Sequence, residues 1–206
     1  MDRLGLFPLP LVLVPTERVP LHIFEPRYRE LIGECVDRGG EFGVLLADGE
    51  DSMREIGTRA GVVEVLRVLP DGRMHIVVEG RERFRVLEVY DDRSFATGTT
   101  EPVRDEDDPP DPEDVEAVLD VFVRLQQTVG STREPPDAAT PQLDFEIASR
   151  VDFGTEQKQE LLELTSPRRR LARLIELLER ALEALTLERT VQQAASRNGK
   201  VPRAGK

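Results

Sequence analysis

The chain has 206 residues, of which 39% are hydrophobic and 33% are charged, a composition that can bury a packed core. Its 40 acidic and 28 basic residues give a formal net charge of −12, which repels phosphate backbones and anionic lipid and therefore disfavours nucleic-acid and membrane-surface binding. One cysteine and two histidines exclude an internal disulfide and a multi-cysteine zinc site, so we expect a cytoplasmic protein with neither a metal nor a cofactor.

Residues 1–103 consist mainly of short apolar runs rich in β-branched residues, which is typical of strands. The run at residues 4–14 contains two prolines and is too short to cross a bilayer, so we interpret it as a strand segment and not as a targeting or membrane segment. The turn sequence at residues 69–73 predicts a hairpin around it. The six predicted strands cover residues 11–14, 42–46, 62–69, 74–79, 84–90 and 95–101.

One helix should interrupt these strands. Pro26 suits a first helical turn, and two successive glycines, Gly39 and Gly40, should end the helix. Apolar residues recur between them with helical spacing, at Tyr28, Leu31, Ile32, Cys35 and Val36. We expect this stripe to pack on the strands, with Cys35 as a buried small hydrophobe and not as a nucleophile.

An acidic, proline-rich segment follows the strands. Residues 101–114 hold eight acidic residues and four prolines, so we interpret residues 104–112 as a linker whose carboxylates at 105–108 are solvated. Residues 113–190 then change to helical periodicity, with helix starts predicted at Pro112, Pro141, Thr155 and Pro167, and with Val151 as part of the second helix.

Two features close the chain. The leucines of the last helix form a continuous face, which suits either internal packing or self-association into a homo-oligomer. Residues 191–206 are small and basic, and we interpret them as a disordered tail.

The sequence contains few residues that could act in catalysis. A serine hydrolase needs a serine beside a His or Lys base, yet neither His22 nor His75 has a neighbouring Ser and Asp context. Of the three lysines, Lys200 and Lys206 lie in the tail, and Lys158 should stay solvated at a charged helix start. A phosphate-binding glycine loop is absent as well. These observations favour a binding protein over an enzyme.

A dense set of motifs nevertheless marks the chain: Leu-Phe-Pro-Leu at 6–9, Pro-Leu-His-Ile-Phe-Glu-Pro-Arg-Tyr at 20–28, Val-Glu-Gly-Arg-Glu-Arg-Phe at 78–84, and Gly-Thr-Glu-Gln-Lys-Gln-Glu-Leu-Leu-Glu at 154–163. In this order and spacing they resemble the amino-terminal substrate-binding domain of the Lon protease family. The resemblance implies an α+β fold, with a PUA-like six-stranded β pseudobarrel that contains one inserted helix and is followed by a C-terminal helical bundle or hairpin. Because no ATPase module or Ser-Lys protease domain follows the motifs, it also implies a stand-alone, non-catalytic module.

The charged residues within these motifs support two interpretations. Charged side chains set between core aromatics either pair with each other or face a cleft. They could form an internal ion-pair network that holds the helix against the barrel, with Phe24, Tyr28 and Phe84 as core rings. Alternatively, Arg81 or Arg83 meets peptide carbonyls in a groove beside an exposed Ile23 and Phe24. The candidate peptide-binding residues are Ile23, Phe24, Glu25, Arg27, Tyr28, Arg81 and Arg83.

The leading functional hypothesis is a module that recognises exposed segments of other polypeptides, as an adaptor in protein quality control that serves a separate protease or ATPase. The alternative is an RNA-binding PUA-like protein that uses the arginine-rich segment 81–85 and the basic tail as phosphate contacts, which the charge of −12 disfavours. A vestigial hydrolase is the third and weakest hypothesis, because none of the three lysines is suited to act as a catalytic base.

Overall fold

The computed structural model describes residues 2–49 and 52–198 of the chain. All six described strands precede the second helix, so the fold is α+β, as predicted. In chain order the elements are β1 (Asp2–Leu9), β2 (Arg18–Ile23), α1 (Pro26–Arg38), β3 (Glu41–Leu46), β4 (Ile56–Val68), β5 (Met74–Tyr90), β6 (Thr97–Pro102), α2 (Pro112–Val129), α3 (Leu143–Ala148), α4 (Thr155–Glu163) and α5 (Pro167–Asn198).

The six strands form one mixed sheet that closes on itself. Its order is β2-β5-β4-β3-β1-β6, and β6 pairs back onto β5. Five strands therefore make a ring, while β2 extends the sheet from β5 at an edge. The β1–β3 pair is parallel and the other pairs are antiparallel. This arrangement confirms the predicted six-stranded pseudobarrel.

The long strand β5 joins two strands that the sequence predicted separately. Residues 74–79 and 84–90 belong to one strand of 17 residues, which is irregular where β4 shifts register between Thr58 and Ala60. Gly80 lies at this point, and an added Cβ there would stand 2.2 Å from the carbonyl oxygen of Val14. Glycine therefore marks a close approach of two backbone segments and not the end of a strand. The predicted hairpin between β4 and β5 is confirmed, although β4 begins at Ile56.

The prediction of a first strand at residues 11–14 is wrong. The first strand is β1, and the apolar residues Val12, Leu13 and Val14 lie buried in the connection that follows it. Pro10 and Pro15 flank this run, and proline lacks the N–H that a strand ladder requires. Strand β2 was not predicted, because Pro20 interrupts it; among the described strands β2 pairs only with β5, and an edge strand tolerates proline.

Helix α1 follows its prediction closely. It begins at Pro26, and Gly39 ends it in the left-handed conformation, with φ of 64°. Most of the predicted stripe is buried against the barrel, namely Tyr28, Leu31, Ile32 and Cys35, whereas Val36 is exposed at the edge of the stripe. Burial, followed by the charges of Glu34 and Glu41, raises the pKa of the Cys35 thiol to about 11.

The helical part has its own core. Helices α2 and α5 pack against each other through Val118, Val121, Phe122, Leu125, Leu171, Leu174, Leu177 and Leu178. The leucine face of α5 therefore packs internally over this stretch, while Leu187 and Val191 further along are exposed. The side chain of Ser166 caps α5 by accepting the N–H of Arg169 at 3.1 Å.

Two boundaries of the helical part differ from the predictions. Helix α3 begins after Gln142, which has a positive φ of 56°, and ends at Ala148, so Val151 lies outside it. Helix α5 continues to Asn198, past residue 191 where a disordered tail was predicted. The remainder of that predicted tail, residues 199–206, lies outside the described residues.

Candidate functional site

A groove of about 810 Å³ opens where β2 ends and α1 begins. The ends of β1 and β5 and the connections after β3 and β5 complete its walls. We call it the Phe24 groove; its lining residues are Phe7, Pro8, Leu9, Pro10, His22, Ile23, Phe24, Glu25, Arg27, Tyr28, Ala47, Gly49, Ser52, Met53, Val89, Asp91 and Ala96.

Phe24 is the exposed aromatic residue of the groove. It directly follows β2, and 59% of its surface is accessible, whereas the neighbouring Ile23 is 1% exposed and belongs to the barrel core. The interpretations of Phe24 as a core ring and of Ile23 as exposed are therefore both wrong. Successive side chains at a strand end point to opposite faces, which explains the contrast. The Phe24 ring stacks on the His22 ring, with the two ring centroids 5.8 Å apart. The His22 ring in turn contacts that of His75 on β5, at a centroid distance of 4.3 Å.

Glu25, Arg27 and Tyr28 form one connected wall of the groove. Glu25 occupies the position before α1 without capping it through its side chain. Its carboxylate instead binds the Arg27 guanidinium, with a Nη2–Oε2 distance of 2.8 Å. Arg27 lies 4.5 Å from the centroid of the Tyr28 ring, and that ring packs on Phe7 at 4.2 Å. Burial is the main cause that raises the pKa of the Tyr28 phenol. The wall is thus held in place without a ligand.

Sequence reasoning missed several lining residues. The motif at residues 6–9 was recognised, but it was placed ahead of the first strand, although it ends β1. Val89, which is 44% exposed, and Asp91 carry no local signal for a site. They reach the groove because β5 turns there toward β6, and such a neighbour relation depends on tertiary structure.

Arg81 lies away from the groove. Its Nη1 contacts Glu41 Oε1 at 2.6 Å, at the start of β3. Arg81 is not among the residues that line the groove.

Arg83 belongs to a buried cluster that joins the barrel to the helices. We call this cluster the junction network; it consists of Arg83, Asp105, Asp144, Phe145 and Arg170. Arg83 donates to the carbonyl oxygens of Leu162 and Leu164, both at 2.8 Å, and also binds Asp105. Its side chain is 4% exposed, and the hypothesis that it meets a peptide is therefore wrong.

Arg170 completes the junction network from α5. It binds Asp105 through two N–H groups, at 2.7 and 2.9 Å, and also binds Asp144. The Phe145 ring lies 4.2 Å from the Arg170 guanidinium and 5.3 Å from that of Arg83. Arg83 thus takes part in an internal ion-pair network, but this network ties the barrel to the helical part and not to α1, and it contains none of Glu25, Arg27 and Arg81.

The charges of the junction network depend on each other. Burial, followed by the charge of Arg170, lowers the pKa of Arg83, although Asp105 opposes this. Burial alone would raise the pKa of Asp105, but hydrogen bonds and charge from Arg170 and Arg83 hold it below its ordinary value. Asp105 is therefore an ionised bridge between two buried arginines.

The segment 104–112 is anchored, and the expectation of a solvated acidic run is wrong for three of its residues, including Glu106, which accepts a hydrogen bond from the Thr165 hydroxyl. Asp105 belongs to the junction network, and Asp108 accepts hydrogen bonds from Ser166 at 2.6 Å and from Arg168 at 3.0 Å. Arginines of the helical part neutralise these carboxylates, a relation between segments some 60 positions apart that the local composition does not reveal.

Lys158 is not solvated either. Its side chain is 14% exposed, and its Nζ donates to Glu17 Oε1 at 2.6 Å. Glu17 is equally buried and also accepts the backbone N–H of Val14 at 3.1 Å. The reason is that α4 packs against the connection between β1 and β2. Within the described part of the chain, the hydrogen-bond partner of Lys158 is a carboxylate, and no serine hydroxyl contacts it.

The arginines of segment 81–85 are all engaged by carboxylates. Arg81 binds Glu41, Arg83 lies in the junction network, and Arg85 contacts Glu55 at 3.2 Å. The segment therefore does not present a row of unpaired arginines to phosphate groups, and this argument for the RNA-binding alternative no longer holds. The basic tail residues 199–206 lie outside the described residues.

Two further properties concern the described residues only. No three His, Cys, Asp or Glu side chains among residues 2–49 and 52–198 are grouped as metal ligands. None of the helices found in these ranges has the combined length and hydropathy that crossing a bilayer requires.

The sequence matches the family model described as the ATP-dependent protease La (LON) substrate-binding domain, over residues 3–180. A Lon protease from Solibacter usitatus is 34% identical over 155 residues, which cover 69% of this chain and 18% of the relative. A Lon protease from Bacillus thuringiensis is 29% identical over 163 residues, or 72% of this chain and 20% of the relative. The chain thus spans about a fifth of the length of these relatives.

Solved structures show the same architecture. The crystal structure of a Lon N-terminal domain protein from Xanthomonas campestris superimposes with a TM-score of 0.65 and 28% identity, covering 85% of this chain and 98% of that one. The N-terminal domain of a Lon protease from the Mycobacterium avium complex gives a TM-score of 0.64 at 17% identity and covers 86% of this chain, a likeness of fold alone.

Proposed function

The chain belongs to the Lon substrate-binding domain family, and we propose that it holds exposed apolar segments of other polypeptides in the Phe24 groove. The observation that carries the proposal is a concave site, most of whose lining residues are apolar, beside a Phe24 ring that remains 59% exposed. Ligand sites are commonly clefts of about 300–1,000 Å³ lined by apolar and aromatic side chains, and the groove falls in this range.

The groove suits weak binding through several contacts. Phe24 and Val89 offer apolar surface that a bound segment would remove from water, while Tyr28 and Phe7 form a floor that is already packed. The Glu25–Arg27 ion pair holds the wall, so little side-chain ordering is left to oppose binding. Affinity should therefore follow the apolar content of the segment more than its exact sequence.

We assign the chain a role in holding other polypeptides and no catalytic one. The carboxylate of Glu17 holds Lys158, and the buried arginines are satisfied inside the fold. In this proposal the module works in the cytoplasm as an adaptor in protein quality control, and a separate protease or ATPase acts on what it has bound. Purified chain incubated with unfolded casein should associate with it and leave it uncleaved, with or without ATP.

A direct test replaces Phe24 by alanine. Complete burial of a phenylalanine side chain is worth about 1.5–3 kcal/mol, and rather more than half of this ring is available to a ligand. Phe24→Ala should therefore weaken binding of a fluorescein-labelled casein fragment by about 1–2 kcal/mol, or roughly 5- to 30-fold in Kd. Fluorescence anisotropy measures the change, and the melting temperature should stay the same.

Val129→Ala is the matched control, because Val129 is 56% exposed at the end of α2, away from the groove. Its affinity for casein should equal that of the parent chain. Equal affinities of the Phe24→Ala and Val129→Ala proteins would refute the assignment of the groove. Cleavage of casein by the homogeneous chain would refute the non-catalytic role.

A further inference from the structure

Among the residues that the structure describes, the Phe24 groove carries one uncompensated negative charge. Among its lining residues, Glu25 and Arg27 neutralise each other at 2.8 Å. Asp91 also lines the groove, is exposed, and has no ion-pair or hydrogen-bond partner anywhere in the described ranges of the chain. The next residues along the chain differ, since Asp92 binds Arg3 and Arg93 binds Glu34. Asp91 is thus left free where the groove meets solvent.

The field of the whole chain has the same sign. With a formal net charge of −12, the surface attracts cationic segments and repels acidic ones before any contact forms. A segment that enters the apolar groove and places an acidic residue next to Asp91 would add a like-charge contact, whereas a basic residue there would gain an opposite one. The apolar walls supply the contact surface for the bound segment, and the negative charge favours segments whose flanking residues are basic.

We propose that the groove prefers apolar segments that are flanked by lysine or arginine, and that the Asp91 carboxylate is the group that meets the cationic side chain. This inference rests on the proposed function, because it assumes that peptides occupy the Phe24 groove. It names the substrate class within that function: basic-flanked apolar segments are bound, and acidic-flanked ones are discriminated against.

The test uses three fluorescein-labelled peptides that share one uncharged core of valine, leucine and phenylalanine. Their flanks are lysines, glutamines or glutamates, and their termini are acetylated and amidated so that only side-chain charge differs. The full chain should bind the lysine peptide about threefold more tightly than the glutamine peptide at low salt, as expected for one exposed ion pair. The glutamate peptide should bind weakest, and the differences should shrink as ionic strength rises.

The variant Asp91→Asn separates the local carboxylate from the overall field. It should reduce the ratio of glutamine-peptide to lysine-peptide Kd from about three toward one, and the remainder reports the overall field. Asp107→Asn is the control, since Asp107 is an exposed carboxylate of the segment 104–112 without an ion-pair or hydrogen-bond partner among the described residues, and it should keep the parental ratio. Both substitutions remove one negative charge, so the global field changes equally.

The outcomes distinguish the two proposals. Equal Kd values for the three peptides, or a ratio that Asp91→Asn leaves at its parental value, would overturn the charge preference even if Phe24→Ala weakens all three. If none of the peptides binds the parent chain, the proposed function itself fails, and the preference fails with it.

Discussion

Replacing Asp105 by asparagine should destabilise the protein by removing the carboxylate that lies between Arg83 and Arg170. The two guanidinium groups would stay in the junction with side-chain exposures of 4% and 2%. Removing one partner of a buried ion pair costs about 3–5 kcal/mol, because the other charge stays buried without compensation. Asp105 is itself 32% exposed and Asp144 still faces Arg170, so we reduce the expected loss to about 2–3 kcal/mol.

Urea unfolding followed by circular dichroism measures this loss, with Asp107→Asn as the control in the same segment. The control should lie within about 0.5 kcal/mol of the parent chain, because the Asp107 side chain is exposed and has no partner in the described part of the chain. If Asp105→Asn unfolds at the same urea concentration as Asp107→Asn, the junction network does not hold the two parts together, and our account of it would be refuted.

The pH dependence provides a second check on the same group. The folded-state pKa of Asp105 lies below its ordinary value, so the contribution of the carboxylate is complete above that ordinary value and is lost as pH falls through the folded pKa. The difference in unfolding free energy between the parent chain and Asp105→Asn should therefore shrink on acidification. A difference that grows at acidic pH would contradict the assigned ionisation state.

Three other predictions concern stability and reactivity. Gly80→Ala should cost about 3 kcal/mol in urea unfolding, because the new Cβ would stand 2.2 Å from the Val14 carbonyl oxygen, whereas Gly33→Ala in α1 has open space and should stabilise by up to about 1 kcal/mol. Phe84→Ala should lower the unfolding free energy by about 3–5 kcal/mol, since this ring is fully buried, and a smaller loss than 1 kcal/mol would contradict its place in the core. The Cys35 thiol, with its pKa raised to about 11, should react with iodoacetamide at pH 8 far more slowly in the folded chain than in urea, and equal rates would count against its burial.

Local patterns predicted those elements whose causes are local. The helical stripe and the terminating glycines located α1, and the turn at residues 69–73 located the β4–β5 hairpin. The motif at 20–28 led to one wall of the groove. Errors arose where a proline or glycine has a tertiary role. Pro20 lies within an edge strand, and Gly80 lies inside a long strand because another backbone segment passes close to it.

Which of the charged candidate residues are buried and which are exposed could not be predicted, for a related reason. Arg81 and Arg83 are two positions apart, yet one remains half-exposed beside Glu41 and the other is buried under the helices. A strand pattern indicates which side chains leave the barrel interior, but it does not indicate which part of the outer surface a later segment covers. That information lies in Asp105, Leu162 and Leu164, which follow in the chain.

The division between buried and open charges also determines what kind of binding the fold permits. Because the junction network and the Glu17–Lys158 pair satisfy their charges internally, they leave no ionic contacts for a ligand. In the Phe24 groove, Glu25 and Arg27 likewise neutralise each other. Among the described lining residues, Asp91 alone carries a charge that no partner compensates. An uncharged apolar segment should therefore bind with almost no dependence on salt, since burial of its side chains does not depend on ionic screening. The salt dependence that remains should report on the flanking charges of the bound segment.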